Sequence, residues 1–429
     1  MQHFDIAIVG AGQGGAQAAI HLRQGGFTGS IVLIGAQPEL PYERPPLSKE
    51  YLTGKKAFER MLIRPPAFWT ERQVTLLPAT RIVSVDAEAK RLQAEDGRQF
   101  GYGTLIWSAG GVPRRLGCGE DGLAHVHSIR TRADIDAMTS HPGQVKRAVV
   151  IGGGYVGLEA AAGLRKLGKD VVLVEAMDRV LSRVAGEPIS RFFEVEHRAQ
   201  GVDLRLSASV EHVGGEGVRL AGGETISADL VIVGIGIDAA VGPLLEAGCT
   251  GSDGVDVDEF CRTSVPDIYA IGGCARHANR FAGGARVRLE SVQNAHDQAA
   301  TAAKAILGRP EPYDAIPWFW SNQYDLKLQT VGLMHGHDEI VVRGDPESRS
   351  FSAIYLRQGH VVALDCVNAT KDYAQGRKLI LEGAAPDPAR LADSSVPLKE
   401  LWRREKPASI SHTHRAAVRA VMSLTSRLG

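Results

Sequence analysis

Two stretches of sequence decide the fold: residues 148–157 read AVVIGGGYVG, and residues 5–15 read DIAIVGAGQGG. In each, a short apolar run leads into a glycine-rich turn, and an alanine-rich segment follows. This order predicts a strand, a tight turn and a helix, which together form a dinucleotide-binding unit. Glycine is needed because a side chain would keep a pyrophosphate away from the backbone N–H groups and the positive helix end. One such turn is a weak signal, but two in this context predict two dinucleotides in one chain, as in a flavoprotein reduced by a nicotinamide.

Length and charge limit the possible functions. A chain of 429 residues is expected to form about two or three domains. It has 49 Lys and Arg against 49 Asp and Glu, so no overall charge favours nucleic acid or an anionic membrane as a partner. No apolar run approaches the ~20 residues that span a bilayer, and the first strand begins without the pattern of a signal peptide. We therefore expect a cytoplasmic protein that binds neither nucleic acid nor membrane.

The cysteines argue against a metal site and against thiol chemistry. The chain has five of them: Cys118, Cys249, Cys261, Cys274 and Cys366. They form no C-x-x-C or C-x₄-C pair, so neither metal-ligand spacing nor a redox-active dithiol is present. Two-dinucleotide enzymes that reduce disulfides or peroxide carry reactive cysteines early in the chain, whereas the first cysteine here is Cys118. No metal site is predicted.

The order of predicted elements indicates an internal duplication. The first βαβ unit runs from Phe4 to about Gly35, and the second occupies Ala148 to Glu175. After about Ala240 the chain is expected to return to the first unit. The elements expected from there on are a strand at 267–272, a helix at 291–307, strands at 340–343, 351–356 and 361–367, and a helix near 373–382.

A carboxylate at the end of the second βαβ unit predicts which nicotinamide is bound. Glu175 follows the apolar run 171–174 and lies 23 residues past the first glycine of its turn. At this position an acid accepts hydrogen bonds from the adenosine ribose. Its charge also repels a 2′-phosphate, which favours NADH over NADPH, although Arg179 and Arg183 are close enough in sequence to weaken that preference.

Five motifs in order carry a resemblance to a known family. They are residues 41–49 (PYERPPLSK), 152–159 (GGGYVGLE), 263–270 (TSVPDIYA), 288–295 (RLESVQNA) and 317–325 (PWFWSNQYD). With them the chain resembles the FAD-dependent, NADH-oxidising reductases of 2Fe–2S ferredoxins, which serve cytochrome P450 and ring-hydroxylating dioxygenase systems. The resemblance extends to about Trp402.

The resemblance implies an α/β fold that is glutathione reductase-like, with two Rossmann-type dinucleotide-binding domains and a small α+β C-terminal domain. Residues 1–113 and 241–316 would form a discontinuous FAD-binding domain, and residues 114–240 an inserted NAD-binding domain. Residues 317–405 would form the C-terminal domain. Residues 406–429 are a basic, alanine-rich tail, for which we expect a frayed surface helix.

Three residues are implied to be catalytic. Lys49 would lie beside flavin N5 and pair with Glu159, which would face the nicotinamide, and Trp320 would lie next to the isoalloxazine. The glycine turns and the resemblance together indicate FAD-binding residues Gly10, Gly12, Gly14, Gly15, Arg44, Lys49, Ile82, Ala109, Gly110, Arg130, Gly273 and Val292. They indicate NADH-binding residues Gly152, Gly154, Tyr155, Val156, Gly157, Glu159, Glu175, Arg183 and Gly236.

Two departures from the family pattern concern FAD. The family has an acid where this chain has Gly273, and the first βαβ unit has Ala36 where a ribose-binding acid is expected, with Glu39 the nearest candidate. A hydrogen bond to a charged group contributes roughly 1.5–3 kcal/mol. Losing two would weaken FAD binding by about 10²–10⁴-fold unless other groups compensate.

The resemblance implies that hydride passes from NADH to FAD and that electrons then pass singly to a 2Fe–2S ferredoxin, which docks transiently through complementary charge. Two alternatives stay open. One is an NADH oxidase or quinone-type reductase, and the other is a redox-sensing interaction protein with weakened FAD binding. The sequence does not predict the oligomeric state, the ferredoxin or the oxygenase that it supplies.

Overall fold

The structure, a computed structural model, describes residues 1–140 and 143–402. The strands are β1 (Gln2–Val9), β2 (Ile31–Ile34), β3 (Val74–Leu77), β4 (Ile82–Asp86), β5 (Arg91–Ala94), β6 (Gln99–Trp107), β7 (Gly111–Pro113), β8 (Val126–His127), β9 (Arg147–Ile151), β10 (Asp170–Val174), β11 (Val202–Arg205), β12 (Val210–Gly214), β13 (Gly217–Leu220), β14 (Thr225–Ser227), β15 (Leu230–Val233), β16 (Ile237–Ala239), β17 (Val255–Val257), β18 (Ile268–Ala270), β19 (Ala275–Ala278), β20 (Arg286–Arg288), β21 (Trp318–Gln323), β22 (Leu326–Gly332), β23 (Glu339–Asp345), β24 (Ser350–Arg357) and β25 (His360–Val367). The α-helices are α1 (Gln13–Gln24), α2 (Pro66–Glu71), α3 (Arg132–Thr139), α4 (Tyr155–Lys166), α5 (Glu187–Ala199), α6 (Gly242–Glu246), α7 (Val292–Ile306), α8 (Thr370–Leu381) and α9 (Pro388–Ala392).

The first sheet contains the first glycine-rich turn. Its strands lie in the order β3-β2-β1-β6-β5-β4, and β18 also pairs with β6. β6 is long enough to take two neighbours on one edge. Its first part, residues 99–101, pairs antiparallel with β5, and its last part, residues 105–107, pairs parallel with β18. The chain therefore completes this sheet only after it has formed the second one, as the predicted return to the first unit requires.

The second sheet repeats the central arrangement of the first. Its order is β11-β10-β9-β15-β8, and all of its pairings are parallel. The unit β9–α4–β10 corresponds to β1–α1–β2, so the predicted duplication is confirmed. The central strands are almost entirely apolar and buried, as expected where a parallel sheet is covered on both faces.

The third sheet is antiparallel, in the order β21-β22-β25-β24-β23, and α8 packs against it. The three predicted strands and the predicted helix are observed as β23, β24, β25 and α8. Strands β21 and β22 were not predicted from the sequence. β21 begins with three consecutive aromatic residues that are all half-buried, so the alternation of apolar and polar residues that marks a strand is absent.

The parallel strands of the first and second sheets point their carboxyl ends at one cavity. The last residues of their central strands line it: Val9, Ile34, Trp107, Ile151, Val174 and Val233. The carboxyl ends of parallel strands are where open α/β folds bind ligands. The predicted helix at 291–307 is observed as α7, and Ser291 Oγ accepts a hydrogen bond from Asn294 N at its start. The α/β architecture is confirmed.

The basic tail predicted at residues 406–429 lies outside the described residues. Within residues 1–140 and 143–402, no helix is both long enough and apolar enough to cross a membrane.

Candidate functional site

A continuous cavity of about 2010 Å³ runs from the first glycine-rich turn to the second. Ligand pockets usually measure about 300–1,000 Å³. This cavity therefore has room for two extended ligands that meet within it. Its wall includes residues from the first, second and third sheets.

The first turn is built for close approach of a ligand to the backbone. Gly10 has a φ of +106°, and a Cβ there would lie 2.3 Å from the carbonyl oxygen of Ser108. A Cβ at Gly12 would meet no protein atom closer than Arg44 Nε at 4.0 Å, so this position is open to the cavity. The first turn of α1 contains no acidic residue. The free N–H groups at the helix start are thus available to an anion.

The second turn has the same construction. Gly152 has a φ of +108° and lies against the carbonyl of Gly234, whereas a Cβ at Gly154 would meet nothing within 4 Å. Glu175 lies at the same end of the sheet and lines the cavity. Its carboxylate accepts hydrogen bonds from Gly153 N at 2.6 Å and Met177 N at 2.8 Å. These two bonds fix an anion at the position expected for recognition of a ribose.

The two arginines named for their effect on nicotinamide choice behave differently. Arg179 donates to the carbonyls of Ala185 and Ser182 and to Ser190 Oγ, so it holds the adjacent loop together. Arg183 lines the cavity. The sequence position of Arg179 indicated a role at the nucleotide, but its guanidinium is already committed to protein acceptors.

Two guanidinium groups define the anionic part of the first half of the cavity. Arg44 and Arg130 both line it, and Arg44 Nη1 donates to the carbonyl oxygen of Arg130. Burial, together with the neighbouring Arg44, lowers the pKa of Arg130 to about 10, so it stays charged at neutral pH. Among the described residues neither group forms an ion pair. Two adjacent cations at a helix start fit a pyrophosphate.

Glu159 holds the junction between the two halves. Its buried carboxylate accepts hydrogen bonds from Lys49 Nζ and Ser48 Oγ on Oε2 and from Ser321 Oγ on Oε1, each 2.6 Å long. Lys49 follows a 3₁₀ turn at Pro45–Ser48 and also donates to the carbonyl of Pro45. The predicted Lys49–Glu159 pair is therefore formed. The two serines were missed because, although both lie in quoted motifs, serine is too common in any role to stand out.

Aromatic residues line the cavity beside this pair. Trp318, Phe319 and Trp320 on β21 reach its wall, and the ring of Tyr155 lies 4.6 Å from that of Phe319. Four large apolar side chains that are exposed to solvent also line the second half. They are Val112, Val156, Met177 and Val184. Exposed apolar side chains that line one cavity indicate a binding surface.

Most of the predicted site residues line this one cavity. These are Gly10, Gly12, Gly14, Arg44, Lys49, Ile82, Ala109, Gly110, Arg130, Gly273, Val292, Gly152, Gly154, Tyr155, Val156, Glu159, Glu175, Arg183, Gly236 and Trp320. Gly15 and Gly157 are not part of its wall. A Cβ at either would lie 2.0 Å from a carbonyl oxygen of its own turn, Gly10 O or Gly152 O. They let the helix pack closely on the strand and do not face a ligand.

Two other carboxylates line the same cavity as the two positions that lack an acid. A Cβ at Gly273 would lie 3.9 Å from Cγ of Glu290, and both residues line the cavity. Glu290 also accepts a hydrogen bond from Arg288 Nη1 at 2.6 Å. Glu39 lines the cavity near Ala36. Glu290 was not singled out from the sequence, because only the fold brings its loop beside Gly273.

A buried carboxyl group reaches the cavity from the antiparallel sheet. Asp365 on β25 accepts a hydrogen bond from the hydroxyl of Tyr355 at 2.5 Å, and that hydroxyl accepts one from Gly186 N at 2.8 Å. Burial raises the pKa of Asp365 to about 7. Nothing in the sequence pattern distinguished this aspartate from an ordinary strand residue.

Comparison with known proteins agrees with this geometry. Residues 4–299 match the pyridine nucleotide-disulphide oxidoreductase family, and residues 318–402 match the reductase C-terminal family. The chain is 58% identical to the 5,5′-dehydrodivanillate O-demethylase ferredoxin reductase subunit of Sphingobium sp., over 94% of this chain and 99% of that one. It is 54% identical to a ferredoxin–NAD(P)(+) reductase of Sphingomonas sp., over 92% and 97% of the two chains. It is also similar to the reductase in a crystal structure of the covalent putidaredoxin reductase–putidaredoxin complex, with 36% identity, a TM-score of 0.88 and coverage of 93% and 98%.

Proposed function

The chain belongs to the pyridine nucleotide-disulphide oxidoreductase family, and on that premise we propose that it is an FAD-dependent NADH:ferredoxin reductase. It transfers hydride from NADH to FAD and then single electrons to a 2Fe–2S ferredoxin that supplies an oxygenase. The similar proteins named above include a ferredoxin reductase subunit and a reductase in complex with its redox partner. They support this interpretation and give no support to the oxidase or to the redox-sensing alternative.

The Lys49–Glu159 pair is the observation that carries the proposal. It lies in the cavity between two glycine-rich turns, each of which is open to a ligand at one glycine, Gly12 or Gly154. FAD fits the first half, where Arg44 and Arg130 present two cations to a pyrophosphate. When bound, FAD would supply the conversion of a hydride into two single electrons.

The protein's own residues supply position and charge. Lys49 brings a positive charge that Glu159 holds in place at 2.6 Å. Glu159 is in turn fixed by two serine hydroxyls, so the pair is organised before any ligand enters. Preorganised charge of this kind costs no rearrangement during the reaction. No side chain has to act as a general acid or base for hydride transfer itself.

NADH is the proposed electron donor. Glu175 is held by two backbone N–H groups as an anion that accepts from ribose hydroxyls and repels a 2′-phosphate. Arg179 is committed to protein acceptors, whereas Arg183 is a cation on the cavity wall. We propose roles for the remaining site residues as predicted: Gly10, Gly12, Gly14, Ile82, Ala109, Gly110, Gly273 and Val292 toward FAD, and Tyr155, Val156 and Gly236 toward NADH.

The domain organisation that we propose divides the chain at residues 113, 240 and 316. The division is supported by β18, which returns to the first sheet after the second sheet is complete. A cytoplasmic location belongs to the same proposal. Its support is that all five cysteines are free and four of them buried, as is usual in a reducing compartment.

Spectra of the purified protein test the function. We expect a yellow protein with one FAD per chain that NADH bleaches. Cytochrome c reduction should require both NADH and a 2Fe–2S ferredoxin, with putidaredoxin as the probe. Oxygen consumption at a similar rate without ferredoxin would overturn the proposal in favour of an oxidase. A protein without flavin that gains none when incubated with FAD would refute the flavoprotein assignment itself.

A further inference from the structure

A row of buried hydrogen bonds leads away from Glu159. Ser321 Oγ donates to Glu159 Oε1 at 2.6 Å, and Gln323 Nε2 donates to Ser321 Oγ at 3.2 Å. Gln323 Oε1 lies 2.8 Å from His197 Nε2, and His197 Nδ1 lies 3.1 Å from the hydroxyl of Tyr324. Ser321, Gln323 and His197 are each no more than 1% exposed. The row begins at Glu159, between the two halves of the cavity, and ends at Tyr324, which is half-buried.

The chemistry of the groups fixes the direction of every hydrogen in this row. Gln323 donates through its amide nitrogen, so its oxygen accepts from His197, which must carry its hydrogen on Nε2. Burial lowers the pKa of His197 to about 4, so the imidazole is neutral and its Nδ1 accepts from Tyr324. All four hydrogens therefore point toward Glu159. Such an order favours a single arrangement, because reversing one bond would leave two donors or two acceptors facing each other.

The row also connects separate parts of the fold. Glu159 is on α4, His197 is on α5, and Ser321 and Gln323 project from the same face of β21. Ser321 and Gln323 belong to the third sheet, whereas both helices belong to the second βαβ region. The Ser321 hydroxyl is thus held by Gln323 on its own strand. Gln323 is in turn held across the interface by His197 on α5, and not by the loop around Lys49.

We propose that Gln323 and His197 are positioning residues for the reduction of the flavin by NADH, an inference that rests on the proposed function. They fix the Ser321 hydroxyl, Ser321 fixes Oε1 of Glu159, and the carboxylate then keeps Oε2 on Lys49. A serine hydroxyl can rotate among several staggered positions. Without the Gln323 amide, Ser321 loses the group that holds its hydroxyl on Glu159, and the Glu159–Lys49 pair loses its fixed orientation.

The test uses Gln323→Met in the FAD-loaded protein, because methionine has nearly the same length and no amide. Gln329→Met is the matched control on the neighbouring strand β22, where the glutamine accepts a bond from Thr370 and lies outside the row. For Gln323→Met we expect the rate of flavin bleaching at saturating NADH to fall about tenfold, which corresponds to about 1.4 kcal/mol. The Kd for NADH and the FAD content should stay within about twofold of wild type, since neither turn is touched. Gln329→Met should bleach at the wild-type rate.

A second set of variants distinguishes a positioning role from a general loss of structure around the site. Adding Gln323→Met to Ser321→Ala should cause no further loss of rate, because the row acts through Ser321. The reduction potential of the bound flavin should shift in the same direction in Gln323→Met and in Glu159→Gln. If Gln323→Met does not fold, Tyr324→Phe takes its place. It should slow bleaching less than Ser321→Ala does, and an equal or larger effect would overturn the proposal.

The outcomes for the row and for the function are distinct. A wild-type protein that binds FAD but is not bleached by NADH refutes the proposed function. A wild-type protein that is bleached, together with a Gln323→Met variant that is bleached equally fast, refutes the positioning role alone. Losses that multiply in the double variant refute it as well.

Discussion

Replacing Glu159 with glutamine removes one buried charge and keeps the shape of the side chain. The wild-type carboxylate accepts three hydrogen bonds of 2.6 Å, from Ser48, Lys49 and Ser321. An amide offers one oxygen only, so its nitrogen has to face at least one of these donors. Lys49, whose side chain is 12% exposed, then loses its counter-ion.

The size of the effect follows from these contacts. Removing one partner of a buried ion pair costs about 3–5 kcal/mol, because the remaining charge is left uncompensated. Water reaches a small part of Lys49, so we expect Glu159→Gln to lower the free energy of unfolding by about 3 kcal/mol. Lys49→Met should have a similar cost. The double variant leaves no unpaired charge, so it should lose no more than either single variant, which gives a coupling energy of at least about 3 kcal/mol.

Urea unfolding of the wild type, both single variants and the double variant measures this coupling. Asp203→Asn is the matched control, because Asp203 pairs with Arg205 on the surface, where both side chains are more than a third exposed. Surface pairs contribute roughly 0–1 kcal/mol, so this variant should unfold almost as the wild type does. Single losses below about 1 kcal/mol that simply add in the double variant would refute the buried-pair argument.

Further predictions concern the coenzyme, the second turn and the buried carboxyl group. In Glu175→Ala, kcat/KM for NADPH relative to NADH should rise about 10–100-fold, because one charged contact is worth roughly 1.5–3 kcal/mol. Steady-state rates with both coenzymes check this, and a fall with NADH without any relative gain with NADPH would contradict it. Gly154→Ala places a methyl group in the cavity without touching protein atoms, so KM for NADH should rise about tenfold or more while FAD content stays unchanged; Gly222→Ala, in an exposed turn with similar free space, is the control. The pKa of Asp365, raised from 3.8 to about 7, makes the folded state hold this proton more tightly than the unfolded state does. The stabilisation is full below pH 3.8 and is lost as pH rises through 7, by about 4 kcal/mol in total. In Asp365→Asn this loss should be absent, and melting curves of variant and wild type that stay parallel between pH 5 and 8 would disprove the assignment.

The part of the site that could be predicted from sequence is the part fixed by local chemistry. Gly10 and Gly152 both have positive φ, and a Cβ on either would collide with a neighbouring carbonyl. Such steric requirements fix the residue type at positions a few residues apart, so both glycine-rich turns and the acid at Glu175 could be recognised in the sequence. The Lys49–Glu159 pair was predicted only through the resemblance, since nothing local links residues 110 positions apart.

The remainder depends on how distant segments pack. Gln323 and His197 are 126 positions apart, and their contact follows from the placement of α5 against β21. Glu290 comes beside Gly273 only because the loop before α7 folds over the turn after β18. β21 itself was missed because its aromatic residues line a ligand cavity rather than alternating between core and solvent. Local sequence patterns carry no record of such contacts.

The double pairing of β6 has a consequence for synthesis of the chain. All strands of the second sheet, from Val126 to Val233, leave the ribosome before β18 at Ile268–Ala270 does. When the residues up to about 260 have left the ribosome, the chain therefore has all strands of the second sheet, beside a first sheet in which residues 105–107 still have an unpaired apolar edge. Open edges of this kind recruit other strands, so the chain is exposed to aggregation at this stage. The chain has every strand of its second sheet first and closes its first sheet last.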